Sequence, residues 1–578
     1  MTVEKLIVDH IDTWTTALQT RSTAGRGSSG KIDLYGIKKL RELILELAVR
    51  GKLVPQDPND EPASELLKRI AAEKAELVRQ GKIKKPKPLP EISEEEKPFE
   101  LPEGWEWVRL SDLMEVINGR AYKKHEMLQE GTPLLRVGNL FTSNEWYYSD
   151  LELDENKYID NGDLIYAWSA SFGPFIWTGK KVIYHYHIWK LKLFAEELSD
   201  KFFIHDFLLS ITDKIKSQGN GIAMLHMTKE RMEQQVIALP PVNEQKHIVQ
   251  KIRELMSLCD QLEQHSLTSL DAHQQLVETL LTTLTNSLNA DELAENWARI
   301  SEHFDTLFTT EASIDALKQT ILQLAVMGKL VPQDPSDEPA SELLKRITQE
   351  KAQLVKDGKM KKQKPLPPIS DEEKPFELPD GWEWCLFEDI VDIQSGITKG
   401  RNLANRKLIS IPYLRVANVQ RGYLDLSEVK EIDIPEEEKD KYHVIKGDLL
   451  ITEGGDWDTV GRTTVWCHDW YIANQNHVFK GRVIGKDIDP YWLETYMNSP
   501  YSRDYFASAS KQTTNLASIN KTQLRGCPVA IPPSSEAEKI MLKLNVFNEL
   551  CEKLKLLIKS AQQTQLHLAD ALTDAAIN

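Results

Sequence analysis

The sequence predicts an α+β or α/β multi-domain chain in which two globular domains are separated by long helices forming an antiparallel coiled coil, with a pseudo-twofold internal repeat. Three observations lead there. A long block recurs almost unchanged, a stretch of mixed strand and helix pattern follows each copy, and each resulting unit closes on a helix with coiled-coil spacing. At 578 residues the chain exceeds what one hydrophobic core can organise.

The repeat comes first. Lys39–Trp107 aligns without a gap to Ala316–Trp384, with 52 identities in 69 positions. "GKLVPQDPNDEPASELLKRI" (51–70) returns as "GKLVPQDPSDEPASELLKRI" (328–347). The match reappears more weakly downstream, where "ALPPVNEQKHIVQKIRELMSLCDQL" from Ala238 pairs with "AIPPSSEAEKIMLKLNVFNELCEKL" from Ala530. Two long repeats indicate twofold pseudo-symmetry, since a solenoid stacks three or more short ones. The chain therefore divides into an N-terminal helical region and linker (1–100), a first variable domain (101–242), a central region of long helix, connector and linker (243–377), a second variable domain (378–533) and a C-terminal helix (534–578).

Each element follows from its residues. Leu40, Leu43, Ile44 and Leu47 have helical spacing, and that helix stops near Gly51. Pro58 and Pro62 mark a turn, and a second helix follows with Ser64 as its expected cap. "KKPKPLPEISEEEKPFELPEG" is Pro-rich and charged, which describes an extended linker. "TPLLRVGNL", "GDLIYAW" and "KVIYHYHIWKLKL" belong to a mixed strand-like and helical pattern in the first variable domain. In the last helix Ile540, Leu544, Phe547, Cys551, Leu554 and Ile558 step by 4-3-4-3, and Ile248, Ile252, Leu255, Cys259 and Leu262 begin the same register in the first copy. About 40 such residues span ~60 Å, longer than a small domain needs, so the pair is expected to act as a spacer.

Composition narrows the function. No run approaches the ~18 apolar residues of a membrane helix. The N-terminal stretch carries Glu4, Asp9 and Asp12 where a secretion signal would be basic and then apolar. The five cysteines are scattered without a CxxC pair, against a disulfide framework or a zinc–cysteine site. A reduced, cytoplasmic protein is expected. The net charge of −17 argues against coating nucleic acid through bulk charge, though not against a local basic face.

Catalytic motifs are missing. "ALPPV" and "AIPPS" lack the leading amide or carboxylate and the aromatic residue of an adenine-methyltransferase motif, and no P-loop or HExxH is present. No catalytic residue and no metal ligand is assigned, and no cofactor is expected in this chain.

The variable domains do hold residues suited to nucleic acid. In the first, "NGRAYKKHE" supplies Arg120, Tyr122, Lys123 and Lys124, and "LLRVGNL" supplies Arg136 and Asn139. "WSASFGPFIWTGKKVIYHYHIWK" adds Ser169, Ser171, Lys180, Lys181, Tyr184, His185, Tyr186 and His187. In the second, "SGITKGRNLANRK" gives Lys399, Arg401, Asn402 and Arg406, and "YLRVANVQRG" gives Arg415, Asn418 and Arg421. "ANQNH" contributes Asn474, Gln475, Asn476 and His477, and "SKQTTNLASINKTQ" contributes Lys511, Gln512, Asn515 and Lys521. Arg and Lys suit guanine edges and phosphates, whereas Asn and Gln suit adenine. For any one of these residues the competing description is a solvated polar loop.

With "GDLIYAWSAS" and "GDLLITEGGD", "LLRVGNL" and "YLRVANV", "LPPVNEQKHIVQKI" entering a helix, and the duplicated "GKLVPQDP" connector, the chain resembles the specificity subunit of a type I restriction-modification system, near type IB. The resemblance implies a non-catalytic reader of double-stranded DNA. Each domain would contact one half of a split, asymmetric target, and the helices would set the gap between halves. Two modification subunits would dock on the connectors and restriction subunits would complete the assembly. S-adenosylmethionine, ATP and Mg2+ would act on those partners. The second unit departs from the pattern where "SSEAEK" replaces "NEQKH", leaving Ala537 in the place of Gln245. The rival readings are a self-contained restriction nuclease or DNA methyltransferase, and a coiled-coil scaffold with no DNA role.

Overall fold

A computed structural model of the chain describes residues 3–21, 31–85, 89–169, 171–217, 228–455, 459–513 and 516–577. The framing helices are α1 (Tyr35–Val49), α2 (Ala63–Arg79), α3 (Lys201–Ser217), α4 (Val242–Asn286), α5 (Glu311–Val326), α6 (Ala340–Lys356), α7 (Pro490–Met497) and α8 (Ser534–Ile577). The chain forms two compact units, one extending to Ser269 and resuming at Gln562, the other built on Leu270–Ala561. Helix α4 begins in the first and ends in the second, and α8 does the reverse. The segments 243–377 and 534–578, continuous in sequence, are thus each divided between units.

In the first unit, α1 buries Leu40, Leu43, Ile44 and Leu47 as its spacing requires. It ends in a Schellman turn, with Lys52 N–H on Leu47 O at 2.9 Å and Gly51 at φ +66°. A Cβ on Gly51 would lie 2.5 Å from Pro102 Cγ and 3.0 Å from Trp105, so glycine lets the start of the domain press on the helix end. The neighbouring turn is locked from a third side. Gln56 Nε2 donates to Gly51 O at 2.6 Å and to Glu244 Oε1 at 3.1 Å, and Trp105 Nε1 donates to Glu244 Oε2 at 2.9 Å. Helix α2 starts one residue ahead of Ser64, because Ala63 N–H is taken by Gly104 O at 2.8 Å, and Pro62 rather than Ser64 occupies the cap position.

The second unit repeats this junction. Gly328 is at φ +69° with Pro379 Cγ 2.5 Å from its would-be Cβ, and Gln333 Nε2 donates to Gly328 O at 2.6 Å and Glu536 Oε1 at 3.1 Å. Gln245 has no such counterpart. Its side chain accepts from Asp200 N–H at 2.7 Å and donates to Pro240 O at 2.9 Å, tying down the entry to α3, while Ala537 does neither. The residue shared by both helix starts is Glu244 or Glu536, not the glutamine.

The seam residues Ile248, Ile252, Leu255, Cys259, Ile540, Leu544 and Cys551 are buried, and Leu262, Phe547, Leu554 and Ile558 are half-buried. Within each unit a connector helix flanks them. Arg41 of α1 bonds Asp260 at 2.8 Å and Glu263 at 2.7 Å beside Cys259, whose thiol is pushed up to about 11 by burial. Lys318 of α5 meets Glu552 at 2.7 Å, and Ile314, Leu317 and Ile321 share one core with Ile540, Leu544 and Cys551. In the second unit the buried stripe thus packs on a connector helix.

The first domain contains β1 (Glu106–Arg109), β2 (Met114–Asn118), β3 (Thr132–Leu135), β4 (Tyr147–Ser149), β5 (Tyr158–Ile159), β6 (Leu164–Ser169), β7 (Ser171–Ile176), β8 (Val182–Tyr184), β9 (Ile188–Leu193) and β10 (Val236–Leu239). They order as β4-β3-β8-β5, β2-β9-β6-β7 and β10-β1, with β8 parallel to β3. The second domain has β11 (Glu383–Leu386), β12 (Val391–Gln394), β13 (Leu408–Leu414), β14 (Lys430–Pro435), β15 (Leu449–Thr452), β16 (Thr463–Val465), β17 (Ala473–Asn474), β18 (Val478–Val483) and β19 (Pro528–Ile531). Its orders are β14-β13-β17, β12-β18-β15-β16 and β11-β19, with β17 parallel to β13, and a further small sheet pairs Leu516–Ser518 with Gly454–Gly455 and Lys511–Thr513. The run "KVIYHYHIWKLKL" is two strands in two sheets, because the chain turns a corner at His185–His187, and the second half of "TPLLRVGNL" is helical over Val137–Phe141. The Pro-rich linkers are latched to these domains: Arg109 grips Glu96, Pro90 O and Gln234 O, and Arg525 grips Glu388 at 2.6 Å and Lys364 O at 2.6 Å.

Burial raises the carboxyl pKa of both Glu244 and Glu536. An acid whose folded pKa is raised contributes stability that is complete below its unfolded value and is lost as pH rises through the folded one. The double variant Glu244→Gln/Glu536→Gln should therefore show a smaller fall in Tm between about pH 5 and 8, even where its absolute Tm is lower. An unchanged slope would remove these carboxyls from the pH response.

Candidate nucleic-acid interface

The sheet-crossing corner recurs in both domains with one backbone. His185 N–H bonds Leu135 O at 3.0 Å, and Gln475 N–H bonds Leu414 O at 2.9 Å. Tyr186 N–H reaches Arg120 O at 3.1 Å, and Asn476 N–H reaches Ile397 O at 2.9 Å. Trp168 N–H bonds His187 O at 3.1 Å, and Glu453 N–H bonds His477 O at 2.9 Å. Each corner is pressed from below by a glycine. A Cβ on Gly119 would lie 2.3 Å from His185 O, and one on Gly396 would lie 2.4 Å from Gln475 O.

On this common backbone the side chains differ. In the first domain His185, Tyr186 and His187 form an aromatic group with Trp168, with Tyr186 and His187 ring centres 4.0 Å apart and His187 and Trp168 5.2 Å apart. Tyr186 is 40% exposed. Burial, reinforced by His187 and Arg136, lowers the His185 pKa to about 4, so its ring is neutral at physiological pH. Beside it a cleft of about 560 Å³ is lined by Lys124, Arg136, Tyr147, His185 and His187 among others. In the second domain the corner carries Gln475, Asn476 and His477, and His477 Nδ1 lies 2.6 Å from Glu453 Oε2.

The remaining sequence candidates separate into groups. Several basic residues are held in ion pairs: Arg120 with Glu126 at 2.6 Å, Lys181 with Glu155 at 2.6 Å, Arg401 with Glu438 at 2.8 Å, Arg406 with Glu437 at 3.0 Å and Arg415 with Glu428 at 3.0 Å. Glu126 is held down at about 2, chiefly by its hydrogen bond from Arg120. Among the described residues Lys123, Lys124, Arg136, Lys180 and Lys399 are exposed and enter no ion pair. Asn402 is exposed and accepts from Ala404 N–H at 3.0 Å, Arg421 is half-buried, and burial lowers the Lys521 pKa.

Other candidates are structural in this arrangement. Tyr122, Ser169 and Tyr184 are buried, and Tyr184 Oη donates to Asn156 O at 2.9 Å. Asn418 is 3% exposed. Its Oδ1 accepts from Arg415 N–H at 2.9 Å, and its Nδ2 donates to Asp425 O at 2.8 Å and Glu428 O at 3.0 Å. Asn139 makes the matching bonds to Arg136 N–H at 3.1 Å and Glu145 O at 2.7 Å. Asn474 is buried and donates to Val478 O at 2.6 Å. These amides are engaged with backbone and hold loops rather than face a base edge. Asn515 and the side chains of Ser171, Lys511 and Gln512 lie outside the described residues.

Trp168 and Glu453 were not among the sequence candidates. The signal for them was available, since each stands six residues after the glycine of a GDL motif, at Gly162 and Gly447.

No cluster of three His, Cys, Asp or Glu that could hold a metal occurs among the described residues, and no described helix is long and apolar enough to cross a membrane. Residues 102–272 and 379–560 each match the model of the type I restriction modification DNA specificity domain. The chain belongs to that family. It is a DNA specificity subunit with two specificity domains. It is similar to the type I restriction enzyme EcoAI specificity subunit of Escherichia coli, 50% identical over 100% of both chains. The EcoEI specificity subunit of Escherichia coli is 49% identical over 100% of both. The crystal structure of the HsdS subunit from Thermoanaerobacter tengcongensis is 16% identical, covering 83% of this chain and 98% of that one, with a TM-score of 0.39.

In this specificity subunit Asn418→Ala removes three buried hydrogen bonds at once. It should destabilise the second unit by about 1–3 kcal/mol in urea unfolding. A loss below about 0.5 kcal/mol would return Asn418 to the set of candidate base contacts.

Proposed function

We propose that the chain reads a split, asymmetric duplex target through its two domains, one half each in the major groove. It would also mount two copies of a modification subunit on its two connectors, with restriction subunits completing the assembly. Lys123, Lys124, Lys180 and Lys399 would meet phosphates. An antiparallel coiled coil of the two long helices, expected from their spacing, would set the distance between halves. The chemistry would reside on the partners, with S-adenosylmethionine, ATP and Mg2+, and this chain would only recognise and position.

One observation carries the reading: exposed side chains repeat in the connectors and diverge in the domains. Core packing accounts for keeping Leu66 and Ile70 as Leu343 and Ile347, all buried. It does not account for the surface. Glu65–Lys68 at 2.6 Å recurs as Glu342–Lys345 at 2.6 Å, with Lys68 71% and Lys345 65% exposed, and the Arg69–Glu61 pair recurs as Arg346–Glu338. Solvated ion pairs contribute little to folding, so their repetition fits a surface presented twice to one kind of partner.

Two experiments test this. Exchanging Leu101–Pro240 for the corresponding domain of another family member should change one half of the selected target and leave the other intact. A change in both halves would refute one-domain-per-half reading. Charge reversal at Lys68 and Arg69 should lower the number of bound modification subunits from two to one by native mass spectrometry, and the same change at Lys345 and Arg346 as well should abolish binding. Full occupancy in the doubly reversed chain would show that the connectors are not the mount.

A further inference from the structure

The two corners share every backbone bond compared above, and each is pinned by a glycine that admits no Cβ. Their geometry is therefore a constant, and of the four positions it carries three differ in side-chain chemistry while the fourth is histidine in both. His185, Tyr186, His187 and Trp168 in the first domain correspond to Gln475, Asn476, His477 and Glu453 in the second. The first set is aromatic and offers no amide. The second is amide and carboxylate around the shared histidine and offers no carbocyclic ring.

We propose that these corners are base-reading sites, Tyr186 sensing the methyl group of a thymine in one half of the target and Asn476 reading the edge of an adenine in the other. The assignment rests on the DNA-reading function proposed above and deepens it to individual positions. Tyr186 is the most exposed member of its aromatic group, with Trp168 and His187 packed beneath it, so it presents an apolar ring backed by rigid neighbours. A thymine methyl is the apolar feature of the major groove. Asn476 carries a donor and an acceptor on one planar group, the complement of adenine N6 and N7. Beside it Glu453 accepts from His477 Nδ1–H, which fixes that ring's orientation and leaves Nε2 for Asn476 or a base.

Most other amides of these domains that sequence points to, Asn139, Asn418 and Asn474, are bound to backbone. Asn476, half-buried, is distinguished from them because among the described residues its side chain bonds His477 Nε2, at a long 3.4 Å, and no backbone group. The corner is thus the place where an amide stays available on a fixed backbone.

The test uses the full chain co-purified with its modification partner, selecting targets from a random duplex pool. Tyr186→Ala should relax one base position in one half, with about a ten-fold loss of discrimination there, and Asn476→Ala should do the same in the other half only. Tyr186→Phe should keep the wild-type preference, because it keeps the ring. Unchanged targets for both alanine variants would overturn the assignment. A Phe variant as relaxed as the Ala variant would overturn the methyl contact at Tyr186. Failure of the wild-type complex to select any sequence would refute the DNA-reading function itself, a different outcome from either of these.

Discussion

Three separate pieces of chain meet at one buried carboxylate, and the architecture depends on that meeting. Glu244, at the start of a long helix, accepts from Gln56 of the connector and Trp105 of the domain. Glu536 accepts from Gln333 in the same way. A carboxylate in such a place is unfavourable unless its oxygens accept hydrogen bonds, and the glutamine donor is present in both units. The glycine beneath completes the arrangement, since the left-handed turn at Gly51 or Gly328 brings Pro and Trp into contact with the helix end. Connector, domain and long helix thereby become one body in each unit.

A rigid mount allows the domains to diverge. The order β2-β9-β6-β7 of the first domain returns as β12-β18-β15-β16 in the second, and β4-β3-β8 returns as β14-β13-β17, while the residues on their surfaces share little. Burial accounts for the constant part. Lys190 and Lys480 occupy equivalent places on β9 and β18, the one paired with Asp163 at 2.6 Å and the other bonded to His443 O at 2.9 Å. At the corners no such demand acts on the exposed side chains, so the backbone repeats and the chemistry does not.

The charge balance follows the same division. With a net charge of −17 the chain cannot hold DNA by overall attraction. Glu436, Glu437 and Glu438 neutralise Lys407, Arg406 and Arg401 within one loop region, and Glu428 neutralises Arg415. Among the described candidate residues Lys123, Lys124, Lys180 and Lys399 enter no ion pair, and their field is short-ranged at physiological salt. Such a surface favours recognition by fit over retention by charge, as a reader that must release wrong sequences requires.

Amino-acid sequence alone determined the repeat, the two-domain plan, the helix stops at Gly51 and Gly328, the buried stripe of the long helices and the family, because each is written in local periodicity or in residue identity. Tertiary structure alone decided three other things. It split "KVIYHYHIWKLKL" between two sheets, divided both long helices between units, and withdrew Asn139, Asn418, Asn474 and Tyr184 from the exposed set. The reason is the range of the interaction. Helical spacing reports burial within a few residues, whereas the hydrogen-bond partner of an amide is chosen by where distant chain arrives. Asn418 and Asn476 look alike in sequence, and only the carbonyls of Asp425 and Glu428 distinguish the one that holds a loop from the one bonded to His477.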